Sequence, residues 1–176
     1  ASDPRIKSTL VKVTGQPYTY LYTTRSGLKY AFTAAGDLIS ITDRNSQSIV
    51  LYRNGSNQLT SIVDPAGRAI TLTYDGNGRL ATATDPNGAV VTYTYDTGTG
   101  DLVAVDKPED ARSEYDYDRH RLTEIRVRTG DDLGTSTMTT VLSNTFDPYN
   151  RVIEQTDSQG NGISIAWQYP SAGITT

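Results

Sequence analysis

The sequence predicts an all-β fold, an antiparallel meander of two-stranded repeats of about 21 residues forming a curled open sheet. Periodicity is the first observation behind this: Leu38, Leu59, Leu80, Leu102 and Leu122 follow at steps of 21, 21, 22 and 20. Asp43, Asp64, Asp85 and Asp106 step by 21 throughout, and Tyr52, Tyr74, Tyr95 and Tyr117 by 22, 21 and 22. Turn chemistry is the second. In Asp64-Pro65-Ala66-Gly67 and Asp85-Pro86-Asn87-Gly88 the proline fixes φ, the aspartate caps backbone amides and the glycine accepts a positive φ. Asp75-Gly76-Asn77-Gly78 serves the reverse turn, and such signals every 9 to 12 residues leave no room for helices. Composition is the third: 12 tyrosines against 2 phenylalanines and 1 tryptophan, with abundant threonine, suit pleated, half-buried surfaces. Units this small cannot bury an apolar face alone, so they must stack.

Residues 1–29 read as a leading segment, a hairpin of Leu10 to Val13 and Tyr18 to Thr24 around Gly15 and Pro17. Residues 30–176 carry six repeats, each a Leu-x-x-Ile-x-Asp strand, a turn, and a second strand closing on Tyr-Asp. The second strand alternates: Ile70, Leu72 and Tyr74 match Val91, Tyr93 and Tyr95, and Ile165, Trp167 and Tyr169, as a buried face, with Thr71, Thr73, Thr92 and Thr94 turned to water. Leu59 and Ile62 are three apart, so either a bulge intervenes or both faces are partly covered. The fifth unit is longer, 29 residues from Tyr117 to Phe146, with the excess in an extended hairpin at 128–140. Roughly 12 to 14 sequential strands are expected, with edges near Tyr18 to Thr24 and Ile163 to Tyr169 that self-associate for want of a neighbour.

Composition excludes several classes. There are no cysteines, so disulfides and thiolate metal sites are out. Twenty acidic against 16 basic residues give a net charge of -4 with no basic run to follow a phosphate backbone, which argues against nucleic acid. No apolar stretch reaches the ~20 residues of a membrane helix, and no signal segment opens the chain. A start at Ala1 and a single methionine, Met138, fit an excerpt of a longer polypeptide or a processed product.

No catalytic, cofactor or metal residue is assigned. The turn aspartates lack the dense spacing of a calcium loop and are read as backbone caps. His120 is the only histidine, lies at a turn in Arg119-His120-Arg121, and has no Gly-x-Ser-x-Gly partner. The tyrosines and Trp167 could stack on sugars, but their phase makes them contacts between units. Arg53, Arg68, Arg79, Arg119, Arg121 and Arg151 stand near turns, solvated or paired with the turn aspartates.

Asn57 to Asp75 (NQLTSIVDPAGRAITLTYD) and Gly78 to Asp96 (GRLATATDPNGAVVTYTYD) resemble the tyrosine-aspartate, or Rhs, repeat, and the resemblance runs from Tyr30 to about Tyr169. It implies a β-ribbon that, in long bacterial members, spirals into a hollow shell around a toxic C-terminal polypeptide; related repeats occur in animal cell-surface adhesion proteins. Six units are too few to close a shell, so the chain looks like an arc of its wall. The family's self-cleavage motif, Asp-Pro-x-Gly-Leu, has no counterpart: the Asp-Pro turns continue as Ala66-Gly67-Arg68, Asn87-Gly88-Ala89 and Tyr149-Asn150-Arg151. The expectation is a non-enzymatic scaffold, secreted or at the cell surface, partnered by further repeats and an enclosed polypeptide. The alternative is an adhesion module binding a glycan or protein through exposed aromatics or the 128–140 hairpin.

Overall fold

A computed structural model describes residues 8–130 and 136–166, without the side chains of 129, 130 and 136. The strands are β1 (Thr9–Lys12), β2 (Tyr20–Thr23), β3 (Lys29–Phe32), β4 (Leu38–Thr42), β5 (Ser48–Arg53), β6 (Leu59–Val63), β7 (Ala69–Tyr74) and β8 (Leu80–Thr84). They continue as β9 (Val90–Tyr95), β10 (Leu102–Asp106), β11 (Arg112–Asp118), β12 (Arg121–Gly130), β13 (Ser136–Phe146), β14 (Val152–Asp157) and β15 (Gly162–Ser164). No helix occurs among the described residues. The chain forms two compact units, Ala1–Val90 and Val91–Thr176, and in both the strands follow sequence order and pair antiparallel.

Two devices recur along the chain. The first is a capped turn. Asp64 accepts the Ala66 and Arg68 amides on Oδ1, both at 2.9 Å, while its own N–H reaches the Arg68 carbonyl at 2.9 Å. Gly67 donates to the Asp64 carbonyl at 3.0 Å with φ of 82°, a left-handed position where glycine is least strained. Asp43, Asp75, Asp85, Asp147 and Asp157 accept the same pair of amides, two and four residues on.

The second is a bulge. Leu59 opposes Arg53 while Ser61 opposes Tyr52, so Thr60 is the extra residue. Ladders shift likewise at Phe32–Leu38, Tyr74–Leu80, Tyr95–Leu102, Tyr117–Leu122 and Phe146–Val152. The bulge resolves the Leu59–Ile62 spacing: by taking up one residue it lets both side chains share a face.

That register also fixes the aromatic position, and it corrects the reading of Tyr52. Phe32, Arg53, Tyr74 and Tyr95 stand opposite the repeat leucines at steps of 21, so Arg53 holds the tyrosine place. Tyr52, one residue out of phase, opposes Ser61 on the other face and is 53% exposed. A one-residue slip moves a side chain across a sheet.

In the first unit Ile41, Ile49, Leu51, Ile62, Ile70 and Leu72 share one face. The other carries Ser61, Thr71, Thr73, Thr82 and Thr84, with the Thr73 and Thr82 hydroxyls 2.6 Å apart. In the second unit Tyr93, Val105, Ser113, Tyr115, Ile125 and Leu142 form the apolar face. Among the described residues only Ala31, Ala104, Val105 and Ser113 are buried. The expected burial is thus half met: Tyr74, Tyr95 and Tyr117 are half-buried, and Ile70 is 40% exposed. A single layer covers each face only with its neighbours along the sheet. Among the described residues β1, rather than the segment from Tyr18, is the outermost strand on the leading side. Trp167, Tyr169 and the 131–135 tip of the long hairpin lie outside the described residues.

Candidate functional site

The places where repeats grip one another are the chemically built parts of this chain. In the first unit Tyr74 Oη donates to the Leu59 carbonyl at 2.7 Å, fifteen residues back. A bulge interrupts the ladder and leaves main-chain groups unpaired, and the tyrosine hydroxyl satisfies one of them from the next repeat. In the second unit the aromatic position that follows the Leu122 bulge is Phe146, which has no hydroxyl, and Asn144 Nδ2 donates to the Leu122 carbonyl instead, at 3.1 Å. Gln155 Nε2 holds the Asn144 amide oxygen at 2.9 Å. The Arg121 guanidinium lies over the Phe146 ring, 5.2 Å from its centre.

Along the row of turns after the aromatic position, side chains stitch one turn to the next. Asn57 Nδ2 donates to Asp37 Oδ1 at 3.0 Å, Gln58 Nε2 to the Gly78 carbonyl at 3.2 Å, and Arg121 to Asn150 Oδ1 at 3.0 Å. His120 Nδ1 sits 2.8 Å from Asp101 Oδ1. His120 is 66% exposed, as its turn position suggested, whereas Asp101 is 15% exposed. The hydrogen bond from His120 holds the Asp101 carboxyl below the usual range. Sequence reading missed this pair because its members lie nineteen residues apart; the signal was the repeat period itself. The turn carrying His120 is a two-residue tip with φ of 51° at Arg119 and 67° at His120.

These tips border a cavity of about 210 Å³, lined by Asp96, Asp101, Tyr115, Tyr117 and His120 among others. Burial pushes the Tyr117 hydroxyl up. No three histidine or carboxylate groups among the described residues converge as a cation site.

The predicted repeat positions separate by role. Leu38, Leu59, Leu80, Leu102 and Leu122 open or nearly open their strands opposite the aromatic position. Asp43, Asp64 and Asp85 cap turns. Asp106 instead pairs with Arg112 at 2.7 Å, and Arg112 joins Glu114, which with Asp116 holds Arg126. This ionic strip lies across β10, β11 and β12. Of the turn arginines, Arg68, Arg79, Arg121 and Arg151 pair with the adjacent turn aspartates, and Arg53 donates to the Asn57 carbonyl at 3.1 Å.

The RHS Repeat family model matches three overlapping stretches, residues 32–69, 53–90 and 74–108. Their starts fall on Phe32, Arg53 and Tyr74, the residues that hold the aromatic position. A comparison with curated proteins returned no match. Among solved structures, the crystal structure of TcdB2-TccC3-TEV is similar with a TM-score of 0.62 at 16% identity, over 85% of this chain and 9% of that one. TcdB2-TccC3 without its hypervariable C-terminal region is similar at 0.57 and 18% identity, over 85% and 8%. The Photorhabdus luminescens Tc holotoxin pore with a TccC3 mutation gives 0.57 and 18%, over 85% and 8%. Such identities show a shared fold, and this chain spans less than a tenth of those chains. The recurring bulges at Phe32, Arg53, Tyr74 and Tyr95 coincide with the stretches that match the RHS Repeat model, and residues 32–108 are a segment of such repeats.

Proposed function

We propose that the chain is a structural wall segment of a secreted Rhs-type shell, with its apolar face turned toward an enclosed polypeptide. One observation carries this reading: caps and cross-repeat contacts tie the turns and bulges together, yet an apolar face is left half-covered, with Ile49 at 38% and Ile70 at 40% exposure. Contiguous exposed apolar surface marks a surface that something else covers. A sheet tied together along its turns and incomplete in burial works as a wall. The likeness to chains of the TcdB2-TccC3 structures supports the same reading. The role is mechanical, without an enzymatic step: His120, the sole histidine, is engaged with Asp101 at a turn tip.

Photo-crosslinking in the full-length polypeptide tests this face by face. A photoreactive residue replacing Ile70 is expected to capture an enclosed polypeptide, while one replacing Thr71, on the opposite face, is not. Equal capture from both faces, or none from either, overturns the proposal.

A further inference from the structure

The chain contains four Asn-Gly pairs, Asn54-Gly55, Asn77-Gly78, Asn87-Gly88 and Asn161-Gly162, and the turns treat the first unlike the others. Asn54 holds the cap position that Asp43, Asp64, Asp75 and Asp85 occupy in neighbouring turns. Its Oδ1 accepts the Ser56 and Gln58 amides, both at 3.0 Å, and its Nδ2 donates to Gln58 Oε1 at 2.8 Å. Gly55 thus falls directly after the cap, exposed, and its N–H has no hydrogen-bond partner among the described residues. In the turns of Asn77 and Asn87 the asparagine stands later and the glycine nitrogen is engaged. Gly78 donates to the Asp75 carbonyl at 3.0 Å and Gly88 to the Asp85 carbonyl at 3.1 Å. The cap amides of those turns go to Asp75 and Asp85. In the turn of Asn161 they go to Asp157, whose Oδ2 also holds Asn161 Nδ2 at 3.1 Å.

We propose that Asn54 is a self-modifying site, whose side-chain amide its own turn converts to a carboxylate. The Gly55 nitrogen attacks Asn54 Cγ and closes a five-membered imide ring. The new nitrogen–carbon bond forms as the Cγ–Nδ2 bond breaks, and ammonia leaves with the proton that the Gly55 nitrogen gives up. Water then adds to the imide and opens it, so one water is consumed, one ammonia is released and nothing is oxidised or reduced. Negative charge develops on Oδ1 in the tetrahedral intermediate, where the Ser56 and Gln58 N–H groups already point. Donors fixed in advance at a developing oxyanion lower the barrier. Glycine adds an unengaged nitrogen and the absence of a side chain that would hinder ring closure. Opening at Cγ leaves an aspartate in the cap position. It accepts the same two amides with a full charge, the stronger form of the bond, and makes this turn like its neighbours.

The proposal goes beyond the wall reading and is tested separately from it. Incubation of the chain at neutral pH, followed by peptide mapping with mass spectrometry, reads the change from amide to acid at each pair. In the folded chain Asn54 is expected to convert about tenfold faster than Asn77 or Asn87. That factor is below the ~10²–10³ of a buried oxyanion hole because the turn is exposed. In urea the three pairs lose their turns and are expected to convert at similar rates. Gly55→Ala, whose methyl meets nothing within 4 Å, is expected to remove the lead of Asn54 without unfolding the turn. Asn54→Asp, which is the product, is expected to melt no lower than the parent chain. Asn77 or Asn87 converting as fast as Asn54 in the folded chain, or a lead for Asn54 that survives urea, overturns the proposal. So does conversion undiminished by Gly55→Ala, or an Asn54→Asp midpoint below the parent's. None of these outcomes alters which face of the sheet captures a polypeptide in the crosslinking experiment.

Discussion

The two units solve one problem with different side chains. In Ala1–Val90 the bulge carbonyl of Leu59 receives a tyrosine hydroxyl, and the three-residue turns put glycine, Ser46 or Asn57 at the left-handed position. In Val91–Thr176 the carbonyl of Leu122 receives an asparagine amide, and an ionic strip of Asp106, Arg112, Glu114, Arg126 and Asp116 runs across three strands. Two turns there, at Glu109-Asp110 and Arg119-His120, carry consecutive non-glycine residues at positive φ. The difference teaches that the repeat conserves a physical requirement more strictly than a residue. Each unit must answer the main-chain groups that a bulge and a tight turn leave over, and any donor or acceptor of the right reach will do.

Acidification should have the largest effect, because it removes the same device from both units together. The Arg68 amide, then its guanidinium, lowers the Asp64 carboxyl; the Arg79 amide lowers Asp75, the Thr99 amide lowers Asp96, and the Asn161 side-chain amide lowers Asp157. A carboxyl with a depressed folded pKa contributes stability above its unfolded value of about 3.9, and that contribution disappears as pH falls through the folded value. Thermal midpoints should therefore be flat between roughly pH 5 and 8 and drop steeply below about pH 4. If one unit, followed by residue-resolved hydrogen exchange, keeps its protection at pH 3 while the other loses it, the shared dependence on turn caps is refuted.

Tyr74→Ala ranks next. It removes a half-buried ring and the hydroxyl bonded to Leu59, and should cost about 2–4 kcal/mol, below the full value for a buried aromatic because Tyr74 is only half-covered. Tyr74→Phe keeps the ring and should cost about 1 kcal/mol, the worth of the hydrogen bond. Urea titrations of both variants check this, and equal losses would mean that the ring contributes nothing.

Asn144→Ala carries the comparison into the second unit. It orphans both the Leu122 carbonyl and the Gln155 amide, for a loss of about 1–2 kcal/mol. If the two units answer one requirement, adding Phe146→Tyr should recover part of that loss, since Phe146 opposes Val152 as Tyr74 opposes Leu80. Absence of any recovery in the double variant would show that the asparagine is a local accident.

Much of this organisation was legible because period and turn chemistry are local in sequence. The leucine spacing and the Asp-Pro-x-Gly turns are enough to place strands, tips and their order. The phase of Tyr52 was not, because steps of 21 and 22 look alike in a leucine-tyrosine-arginine string, while a one-residue difference decides the face. Matching Ile49 and Leu51 with Ile70 and Leu72, and Asn54 with Asp75, would have placed Arg53 correctly: Asn54 accepts the Ser56 and Gln58 amides as an aspartate would. The links from Asp101 to His120 and from Leu122 to Asn144 were invisible for another reason. Each joins residues a repeat apart through side chains that replace the common pattern, so the pattern itself conceals them. Burial was overestimated because alternation tells which residues share a face and not whether anything lies over it.

The smallest predicted effect concerns a single backbone angle and separates cap chemistry from backbone strain. Ser46 and Gly67 hold equivalent places in successive turns, with φ of 64° and 82°, and Ser46 is exposed. A non-glycine residue in the left-handed region costs about 1–2 kcal/mol, while glycine adds unfolded-chain freedom worth about 0.4–1 kcal/mol. Ser46→Gly should thus stabilise the first unit by about 0.5 kcal/mol. Gly67→Ala, whose added methyl meets nothing within 4 Å, should destabilise it by about 1 kcal/mol through the backbone alone. Opposite signs in paired thermal melts would identify the dihedral as the cause. Two changes of the same sign would point to side-chain contacts at these tips, and the equivalence of the two turns would fail.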